Sequence, residues 1–194
     1  MFKIFFYINE LKDVQKKNLN QLNNINIIYR NYERKNYKKN AMNLSRYCKV
    51  KKFKFYISND IKLAIRLGCD GVYLPSFNTK DYFLNSHLKV IGSAHNEMEL
   101  RTKIKQGCKE IFISPIFDTH KEKLIKKGVG VNFYRNLMFK FSKLVRVYAL
   151  GGINDYNIKK LITLGSTGFA SISFIEKKID KNLISYLNLI ATKL

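Results

Sequence analysis

The sequence predicts an α/β fold, a single (β/α)8 TIM barrel, from three observations. Eight short apolar runs rich in β-branched and aromatic residues recur along the 194 residues. Most are continuous rather than alternating, which is typical of strands buried on both faces of a parallel sheet. The stretches between them are polar and helix-permissive, and alternating strands and helices favour right-handed parallel crossovers. Eight such units average about 24 residues each, which is compact but sufficient for a barrel.

The apolar runs give the predicted strands. In chain order they cover residues 3–8, 26–30, 53–58, 71–74, 90–93, 110–114, 145–150 and 168–173. We expect the first and eighth strands to pair and close the sheet. A doubly wound open sheet is the alternative, but no Gly-x-Gly-x-x-Gly follows the first strand, which disfavours a dinucleotide fold. The first run is also too short, and too closely followed by polar residues, for a signal peptide or membrane span.

Three of the intervening stretches carry helix signals at both ends. Residues 60–67, 96–106 and 154–164 have apolar residues at helical spacing, and each begins with an Asp or Asn that can cap the first turn. A Gly-containing turn follows each one, directly before the next strand. Because glycine readily adopts the left-handed conformation of a helix C-terminus, we expect the same α-to-β turn three times.

Composition narrows the class of protein. Lys+Arg 36 against Asp+Glu 14 gives a net charge of +22. The isoelectric point near 9.9 meets the compositional criterion for nucleic-acid binding. The excess is lysine spread over the whole chain, however, and it accompanies the Asn, Ile, Tyr and Phe typical of A/T-rich codons. We therefore expect a solvated basic surface and no nucleic-acid or membrane partner. The three cysteines have no metal-binding spacing, so we expect packing roles, a reducing cytoplasmic location and one domain over residues 1–194.

Polar residues collect where the predicted strands end. In barrels of this type the C-terminal ends of the strands carry the chemistry. Arg30, Asp60, His95 and Thr119 all follow strands and supply a cation, a carboxylate, an imidazole and a hydroxyl. We expect these four side chains to lie around one mouth of the barrel.

A phosphate site is predicted after the seventh strand. Gly151 and Gly152 allow backbone amides to approach an anion closely, and Asn154 is expected to open a helix whose N-terminus adds a positive dipole. Barrels often bind phosphate beside the loops after their last two strands. A plain glycine-rich turn is the alternative interpretation.

Five short motifs follow one another along the chain: ISND at 57–60, DGVYL at 70–74, IGSAH at 91–95, SPIFDT at 114–119 and ALGGI at 149–153. In order and spacing they resemble the thiamine phosphate synthase and TenI family. The resemblance covers nearly the whole chain and implies a (β/α)8 barrel. It also implies small phosphorylated pyrimidine and thiazole substrates. Synthases of the family couple hydroxymethylpyrimidine diphosphate with thiazole phosphate and release diphosphate, whereas the TenI branch isomerises the thiazole precursor.

The resemblance implies roles for the residues around the pyrimidine substrate. Arg30 resembles the family's diphosphate-contacting arginine, and Asn59 matches an asparagine near the pyrimidine and diphosphate. Asp60 matches one of two Mg²⁺-ligand aspartates. Ser93 falls on a serine near the reacting substrates and Thr119 in the loop on the thiazole side, so Mg²⁺ is the implied cofactor.

Further roles concern the thiazole phosphate and proton transfer. Gly151 and Gly152, with the amides of Ile172 and Ser173, resemble the family's thiazole-phosphate pocket. His95 matches the histidine that acts in proton transfer in the TenI branch. The family's catalytic lysine of Thr-x-Thr-Lys corresponds only approximately to Lys121, because the spacing is one residue short.

The chain also departs from the family pattern. The second-strand run Gln-x-Arg-x-Lys reads IYRNY at 28–32, so the glutamine and the lysine are missing. Asn78 stands in the position of the second metal carboxylate, and Pro75-Ser76 resembles the TenI branch. With one carboxylate, we expect a weakened Mg²⁺ site in which substrate phosphates supply further ligands.

Three hypotheses follow from these residues. Retention of Asn59 and Asp60 favours a thiamine phosphate synthase, the leading interpretation, because a tautomerase has no evident need for a diphosphate–Mg²⁺ site. Ser76 and Asn78 favour a TenI-type thiazole phosphate tautomerase, which needs a phosphate anchor and one acid/base group such as His95. The third is a non-catalytic phosphate-binding barrel.

Overall fold

A closed barrel of eight parallel strands forms the centre of the computed structural model, which describes residues 2–31, 33, 36–82, 87–121 and 124–193. The strands are β1 Lys3–Ile8, β2 Ile25–Tyr29, β3 Lys54–Ser58, β4 Gly71–Leu74, β5 Lys89–Ala94, β6 Glu110–Ile113, β9 Arg146–Leu150 and β10 Gly168–Ser171. They follow one another around the barrel in this order. β1 pairs with β10 from Lys3 opposite Gly168 to Phe6 opposite Ser171, which closes the sheet and confirms the predicted pairing.

Most strand boundaries lie within one residue of the prediction, and the last strand differs most. The predicted strand 168–173 was wrong at its end, because the backbone leaves the sheet after Ser171 and forms a 3-10 turn at Ser173–Ile175. The structure also adds an antiparallel hairpin, β7 Thr119–Lys121 and β8 Leu124–Lys126, in the loop after β6. This hairpin stands apart from the barrel sheet, at the end of the barrel where the predicted site lies.

Seven helices pack around the described barrel: α1 Asp13–Leu19, α2 Tyr37–Lys51, α3 Ile61–Arg66, α4 Glu97–Lys105, α5 Val131–Lys140, α6 Ile158–Thr163 and α7 Lys181–Lys193. The expected caps are present at α3 and α4, where Asp60 and Asn96 each accept a backbone hydrogen bond of 2.9 Å from the first turn. Between β4 and β5, residues 75–82 and 87–88 form no helix. In the described part of the chain, no helix has the length and apolarity needed to cross a bilayer.

The predicted start of the sixth helix was wrong. α6 begins at Ile158, and Asn154 opens a turn ahead of it. The side-chain oxygen of Asn154 accepts from the amides of Tyr156 and Asn157 at 3.0 and 3.1 Å. Asn154 therefore closes a local turn, and the cap position of α6 falls to Asn157.

The three predicted α-to-β turns are confirmed. Gly68, Gly107 and Gly165 have φ values of 59°, 83° and 78°, in the left-handed region. After each glycine, the next amide donates to the carbonyl five residues back, at 3.0 to 3.1 Å. This repeated bond satisfies a carbonyl at the end of α3, α4 and α6 and returns the chain to the sheet.

Aromatic side chains fill the barrel interior. The rings of Phe5 and Phe112 meet edge to face with centroids 4.9 Å apart, and Tyr148 lies 5.6 Å from Phe5. Tyr56 packs against the same phenylalanine at 6.1 Å. Such stacked inward-facing residues make the barrel a packed core rather than a pore, so a substrate site has to lie at its rim.

The three cysteines are buried packing residues, as predicted. Cys48, Cys69 and Cys108 are all free thiols. Burial raises the pKa of Cys69 and Cys108 to about 12 and also raises that of Cys48. The folded chain therefore keeps these thiols protonated well above the pH at which they ionise in the unfolded chain.

Stability is expected to fall above pH 9 because of these thiols. Their ordinary pKa is 9.0, so above that pH the unfolded chain binds fewer protons than the folded one. The contribution of the thiols to the free energy of unfolding is fully present below pH 9. Above pH 9 it declines by up to about 1.4 kcal/mol per thiol for each pH unit, until the pKa of the thiol in the folded chain is reached. Urea unfolding from pH 7 to 10.5 checks this, with the triple Cys→Ala variant as the control. A parent-minus-variant difference that does not change with pH would contradict it.

Candidate active site

A cavity of about 680 Å³ opens beside the C-terminal ends of β2, β3 and β4. Asn59 and Asp60, directly after β3, line it together with Ser58 at the strand's end. The first turn of α2 also lines it. The remaining lining residues are Asn31, Asn36, Tyr37, Lys38, Lys39 and Phe77. Two of the sequence-predicted site residues therefore share one cavity with two lysines that the sequence analysis did not single out.

Asn78, at the position of the missing carboxylate, lies beside Asn59. Its amide nitrogen donates to the side-chain oxygen of Asn59 and, at 2.7 Å, to the hydroxyl of Tyr82. Its amide oxygen accepts from the backbone amide of Lys80 at 3.0 Å. Both polar ends of Asn78 are thus engaged in holding the loop after β4, and the residue acts as a structural brace.

A buried lysine also holds the loop after β4 in place. Lys103 on α4 is fully buried, and its ammonium donates to the carbonyl of Asn78 at 2.5 Å and to the side chain of Gln106 at 2.9 Å. Gln106 in turn donates to the carbonyls of Asn78 and Lys80. Desolvation lowers the pKa of Lys103. This contact could not be predicted from the sequence, because Lys103 occupies what resembles a polar helix face.

The metal-binding capacity of this region rests on Asp60. One of its carboxylate oxygens caps α3 by accepting from Leu63, and among the described residues the second oxygen accepts no hydrogen bond. Among the described residues there is no group of three or more His, Cys, Asp or Glu side chains able to hold a metal ion. The donor set therefore fits Mg²⁺ only where substrate phosphates supply further ligands, as that ion commonly requires.

Arg30 and Ser93 belong to an aromatic layer at the top of the barrel interior. The Arg30 guanidinium lies 4.6 Å from the ring centroid of Tyr7, and the rings of Tyr7 and Tyr73 meet edge to face at 5.3 Å. The hydroxyl of Tyr73 donates to Ser93 at 2.7 Å. Ser93 is almost completely buried, so its hydroxyl contacts this tyrosine rather than solvent.

His95 is held in one tautomer by its neighbours. Its Nδ1 lies at hydrogen-bond distance from the carbonyl of Ser114, and its Nε2 lies 3.1 Å from the hydroxyl of Ser76. Because a carbonyl only accepts, Nδ1 carries a hydrogen, and in the neutral ring Nε2 accepts from Ser76. The backbone amide of His95 donates to Glu99 at 2.7 Å, which fixes the start of α4.

The Gly151-Gly152 pair lies against the loop that follows β6. Gly152 has φ 69°, and a Cβ there would lie 2.6 Å from the carbonyl oxygens of Phe117 and Asp118. A Cβ on Gly151 would lie 2.8 Å from Pro115. The glycines are therefore needed for close packing of this loop, a requirement separate from any phosphate.

The ends of β9 and β10 lie side by side. Their register pairs Leu150 with Ala170, so Gly151 and Gly152 leave the barrel next to Ile172 and Ser173. Ser173 begins the 3-10 turn, and Ile172 is exposed. The predicted phosphate-pocket residues are thus brought together at one point of the rim.

Gly152→Ala is expected to destabilise the fold by about 2–3 kcal/mol, because it adds left-handed strain and displaces the crossing loop. Gly107→Ala is the matched control, since Gly107 also has positive φ but open space around it. We expect the control to lose only about 1 kcal/mol. Urea unfolding measures both variants, and calorimetry measures their affinity for thiazole phosphate. This account of Gly152 would be contradicted if the two variants had equal free energies of unfolding and equal affinities for thiazole phosphate.

Thr119 and Lys121 lie on β7, the first strand of the rim hairpin. Thr119 is half-buried and pairs with Lys126 across the hairpin. The side chain of Lys121 lies outside the described residues, so its catalytic role stays a prediction.

Comparison with known protein families identifies the family of this chain. Residues 10–175 match the model of the thiamine monophosphate synthase family, which is most of the chain. The chain belongs to this family. A thiamine-phosphate synthase from Prochlorococcus marinus is 32% identical over 152 residues, covering 75% of this chain and 42% of that relative. One from Geobacillus thermodenitrificans is 29% identical, covering 70% and 62%.

The barrel also resembles a solved structure. A thiamine phosphate pyrophosphorylase from Pyrococcus furiosus superimposes with a TM-score of 0.78 at 18% identity, covering 98% of this chain and 95% of that one. This likeness supports the fold and the closure of the barrel. The chain spans between two fifths and two thirds of the length of the two sequence relatives above.

Proposed function

We propose that this member of the thiamine monophosphate synthase family couples hydroxymethylpyrimidine diphosphate with thiazole phosphate, giving thiamine phosphate and diphosphate. The observation that carries the proposal is the cavity at the end of β3, where Asn59 and Asp60 lie with lysines from α2. A cavity of this volume that combines a carboxylate with cations suits a small diphosphate ester.

In the proposed reaction, negative charge develops on the leaving diphosphate as its bond to the pyrimidine methylene breaks. Asp60 would hold Mg²⁺ through its second carboxylate oxygen, and the ion when bound would neutralise part of the diphosphate charge. Asn59, held by Asn78, keeps its amide nitrogen for a hydrogen bond to the substrate. Arg30, fixed against Tyr7, supplies a further positive charge at the rim.

The thiazole phosphate is proposed to bind at the opposite part of the rim. There the amides after β9 and β10, at Gly151, Gly152, Ile172 and Ser173, form a glycine-rich anion site of the type common in barrels. Thr119 on the hairpin strand β7 would contact the thiazole side. Ser93 lies between the two halves of the mouth, one strand from β4 and one from β6.

Growth without thiamine tests the proposal in cells. A bacterial strain that lacks its own thiamine-phosphate synthase is expected to grow when it expresses this chain, and to fail when it expresses the Asp60→Ala variant at equal protein level. Absence of growth with the folded parent chain would count against coupling. Equal growth with the variant would count against the role of Asp60.

A TenI-type isomerase is the second candidate, and one observation favours it. The hydrogen-bonded pair of Ser76 and His95 presents an imidazole of defined tautomer at the rim, as proton transfer requires. Asn78 also provides no carboxylate for a second metal contact. A chain that binds thiazole phosphate and catalyses neither reaction would instead be a phosphate-binding barrel.

A further inference from the structure

Lys103 places a charged group in the interior of the protein at a cost in stability. Its side chain lies on α4 and is completely buried, and within the described part of the chain no ion pair involves it. Burying an ammonium group without a carboxylate partner is unfavourable unless hydrogen bonds satisfy its N–H groups. The groups that Lys103 contacts therefore indicate what this residue does.

The contacts of Lys103 converge on the carbonyl of Asn78, in the loop after β4. The ammonium group donates to that oxygen at 2.5 Å, and Gln106, the cap residue at the end of α4, donates to the same oxygen at 3.0 Å. Lys103 also donates to the side-chain oxygen of Gln106 at 2.9 Å, which turns the nitrogen of Gln106 towards the loop. That nitrogen also reaches the carbonyl of Lys80 at 2.7 Å. One end of α4 thus holds residues 78–80 in place.

Gly92 on β5 leaves room for the side chain of Lys103. A Cβ at this position would lie 3.0 Å from Cδ of Lys103 and 3.0 Å from Sγ of Cys108, so a larger residue would crowd both. Cys108 borders the same space, but among the described residues no hydrogen bond joins its side chain to the loop after β4. The two neighbours therefore differ in one respect, the contact with Asn78.

The side chain of Asn78 connects this loop to the cavity. Its oxygen accepts from the backbone amide of Lys80 at 3.0 Å, and a backbone amide can only donate. The nitrogen of Asn78 therefore points to the side-chain oxygen of Asn59, which leaves the nitrogen of Asn59 for the cavity that it lines. If Asn78 were displaced, the amide of Asn59 could rotate and present its oxygen to the cavity instead.

The backbone of Asn59 is fixed without Asn78. Its amide donates to the carbonyl of Tyr73 at 2.9 Å, and its φ of 58° lies in the left-handed region. The terminal torsion of an asparagine side chain has a broad, roughly two-fold profile, so a neighbour has to select which end of the amide faces the cavity. Asn78 makes that selection for Asn59.

We infer that Lys103 is a positioning residue for binding of the pyrimidine diphosphate, and that it acts through Asn78 on the side-chain amide of Asn59. The inference rests on the proposed function, because it assigns the cavity at the end of β3 to that substrate. Lys103 does not touch the substrate. It holds Asn78 where Asn59 presents N–H donors to an acceptor atom of the substrate, and a pre-organised donor raises affinity because it is already ordered before binding.

Calorimetric titration with hydroxymethylpyrimidine diphosphate alone, in the presence of Mg²⁺, measures this effect on the intact chain without turnover. Lys103→Met keeps an unbranched side chain of similar length and removes the ammonium group. We expect this variant to bind the pyrimidine diphosphate about 10-fold more weakly than the parent, because a charge-assisted hydrogen bond that orders the site is lost. Its melting temperature is expected to equal or exceed that of the parent, because an apolar group replaces a buried charge.

Cys108→Ala is the matched control for a change in the same buried region. It shortens a side chain next to Lys103 and leaves the ammonium group and Asn78 in place. We expect the control to melt at a lower temperature, because it opens a small cavity, and to bind within about 2-fold of the parent. A role of Lys103 in packing alone predicts a lower melting temperature and an unchanged affinity in Lys103→Met, and that result would overturn the inference.

A double-mutant cycle tests whether Lys103 acts through Asn59. Asn59→Gly removes the side-chain amide and keeps a residue that adopts a positive φ readily. We expect Lys103→Met, added to Asn59→Gly, to leave the affinity within about 2-fold of Asn59→Gly alone, because the group that Lys103 positions is already absent. A further loss of about 10-fold in the double variant would show that the two residues act independently, which contradicts the inference.

The outcomes distinguish this inference from the proposed function. If the parent chain couples the two substrates but Lys103→Met binds the pyrimidine diphosphate as tightly as the parent, the inference is wrong and the function stands. If Lys103→Met binds more weakly and the cycle shows dependence on Asn59, but the parent forms no thiamine phosphate, the positioning role is supported and the function fails. A folded parent chain that binds no pyrimidine diphosphate would overturn both.

Discussion

Replacing Asp60 by alanine is expected to lower the coupling rate by about 10²–10³-fold. Asp60 is the one carboxylate that the described cavity offers to a metal ion, and electrostatic groups that stabilise a leaving oxyanion commonly contribute a factor of this size. The alanine variant also loses the cap of α3, which costs about 1 kcal/mol of stability. Initial rates at saturating substrates and a series of Mg²⁺ concentrations provide the measurement.

The Asp60→Asn variant separates the two roles of Asp60, the negative charge offered to a metal ion and the cap of α3. An asparagine oxygen can still accept from Leu63 and keep α3 in place, whereas the amide binds Mg²⁺ poorly. We expect the asparagine variant to melt like the parent, to lose nearly as much activity as the alanine variant, and to recover part of it at high Mg²⁺. Full activity in a folded Asp60→Asn variant at low Mg²⁺ would remove Asp60 from the proposed site.

Replacing His95 by alanine is expected to lower any thiazole isomerisation by about 10²–10⁴-fold, the range typical of a general acid or base. For coupling, the same variant is expected to show a smaller loss than Asp60→Ala, because that reaction depends on stabilising the diphosphate. Both activities are measured on one preparation, with and without Mg²⁺.

Ser76→Ala provides the matched variant for the second candidate function. It leaves the imidazole in place and removes the hydroxyl that contacts Nε2, so isomerisation is expected to decrease less than in His95→Ala. Metal-independent isomerisation that disappears in His95→Ala, with no coupling by the parent, would replace the synthase proposal by the isomerase.

The fold was predictable because its signals are local and repeated. Continuous apolar runs mark strands buried on both faces, and the glycine turns after α3, α4 and α6 mark where helices return to the sheet. Asn154 misled the prediction because an Asx turn and a helix cap use the same side-chain chemistry. The rim hairpin, Thr119–Lys121 and Leu124–Lys126, was not predicted because its short strands have no apolar alternation.

The positions of the candidate-site residues were predictable only where these residues follow strands in a recognisable motif. Asn59, Asp60 and His95 stand directly after strands, and the barrel topology brings such ends to one rim. The positions of Lys38 beside the cavity and of Lys103 beneath the loop after β4 could not be predicted from the sequence, because lysine is abundant throughout the chain and neither residue stands in a motif. Their positions follow from packing of α2 and α4, which joins residues distant along the chain.

Product formation from purified components tests the central claim most directly. The chain is incubated with hydroxymethylpyrimidine diphosphate, thiazole phosphate and Mg²⁺, and thiamine phosphate and released diphosphate are quantified together. The account predicts equal amounts of the two products, formed only with both substrates and suppressed by chelation of the metal. A folded chain that binds thiazole phosphate but forms no thiamine phosphate at any Mg²⁺ concentration would contradict it.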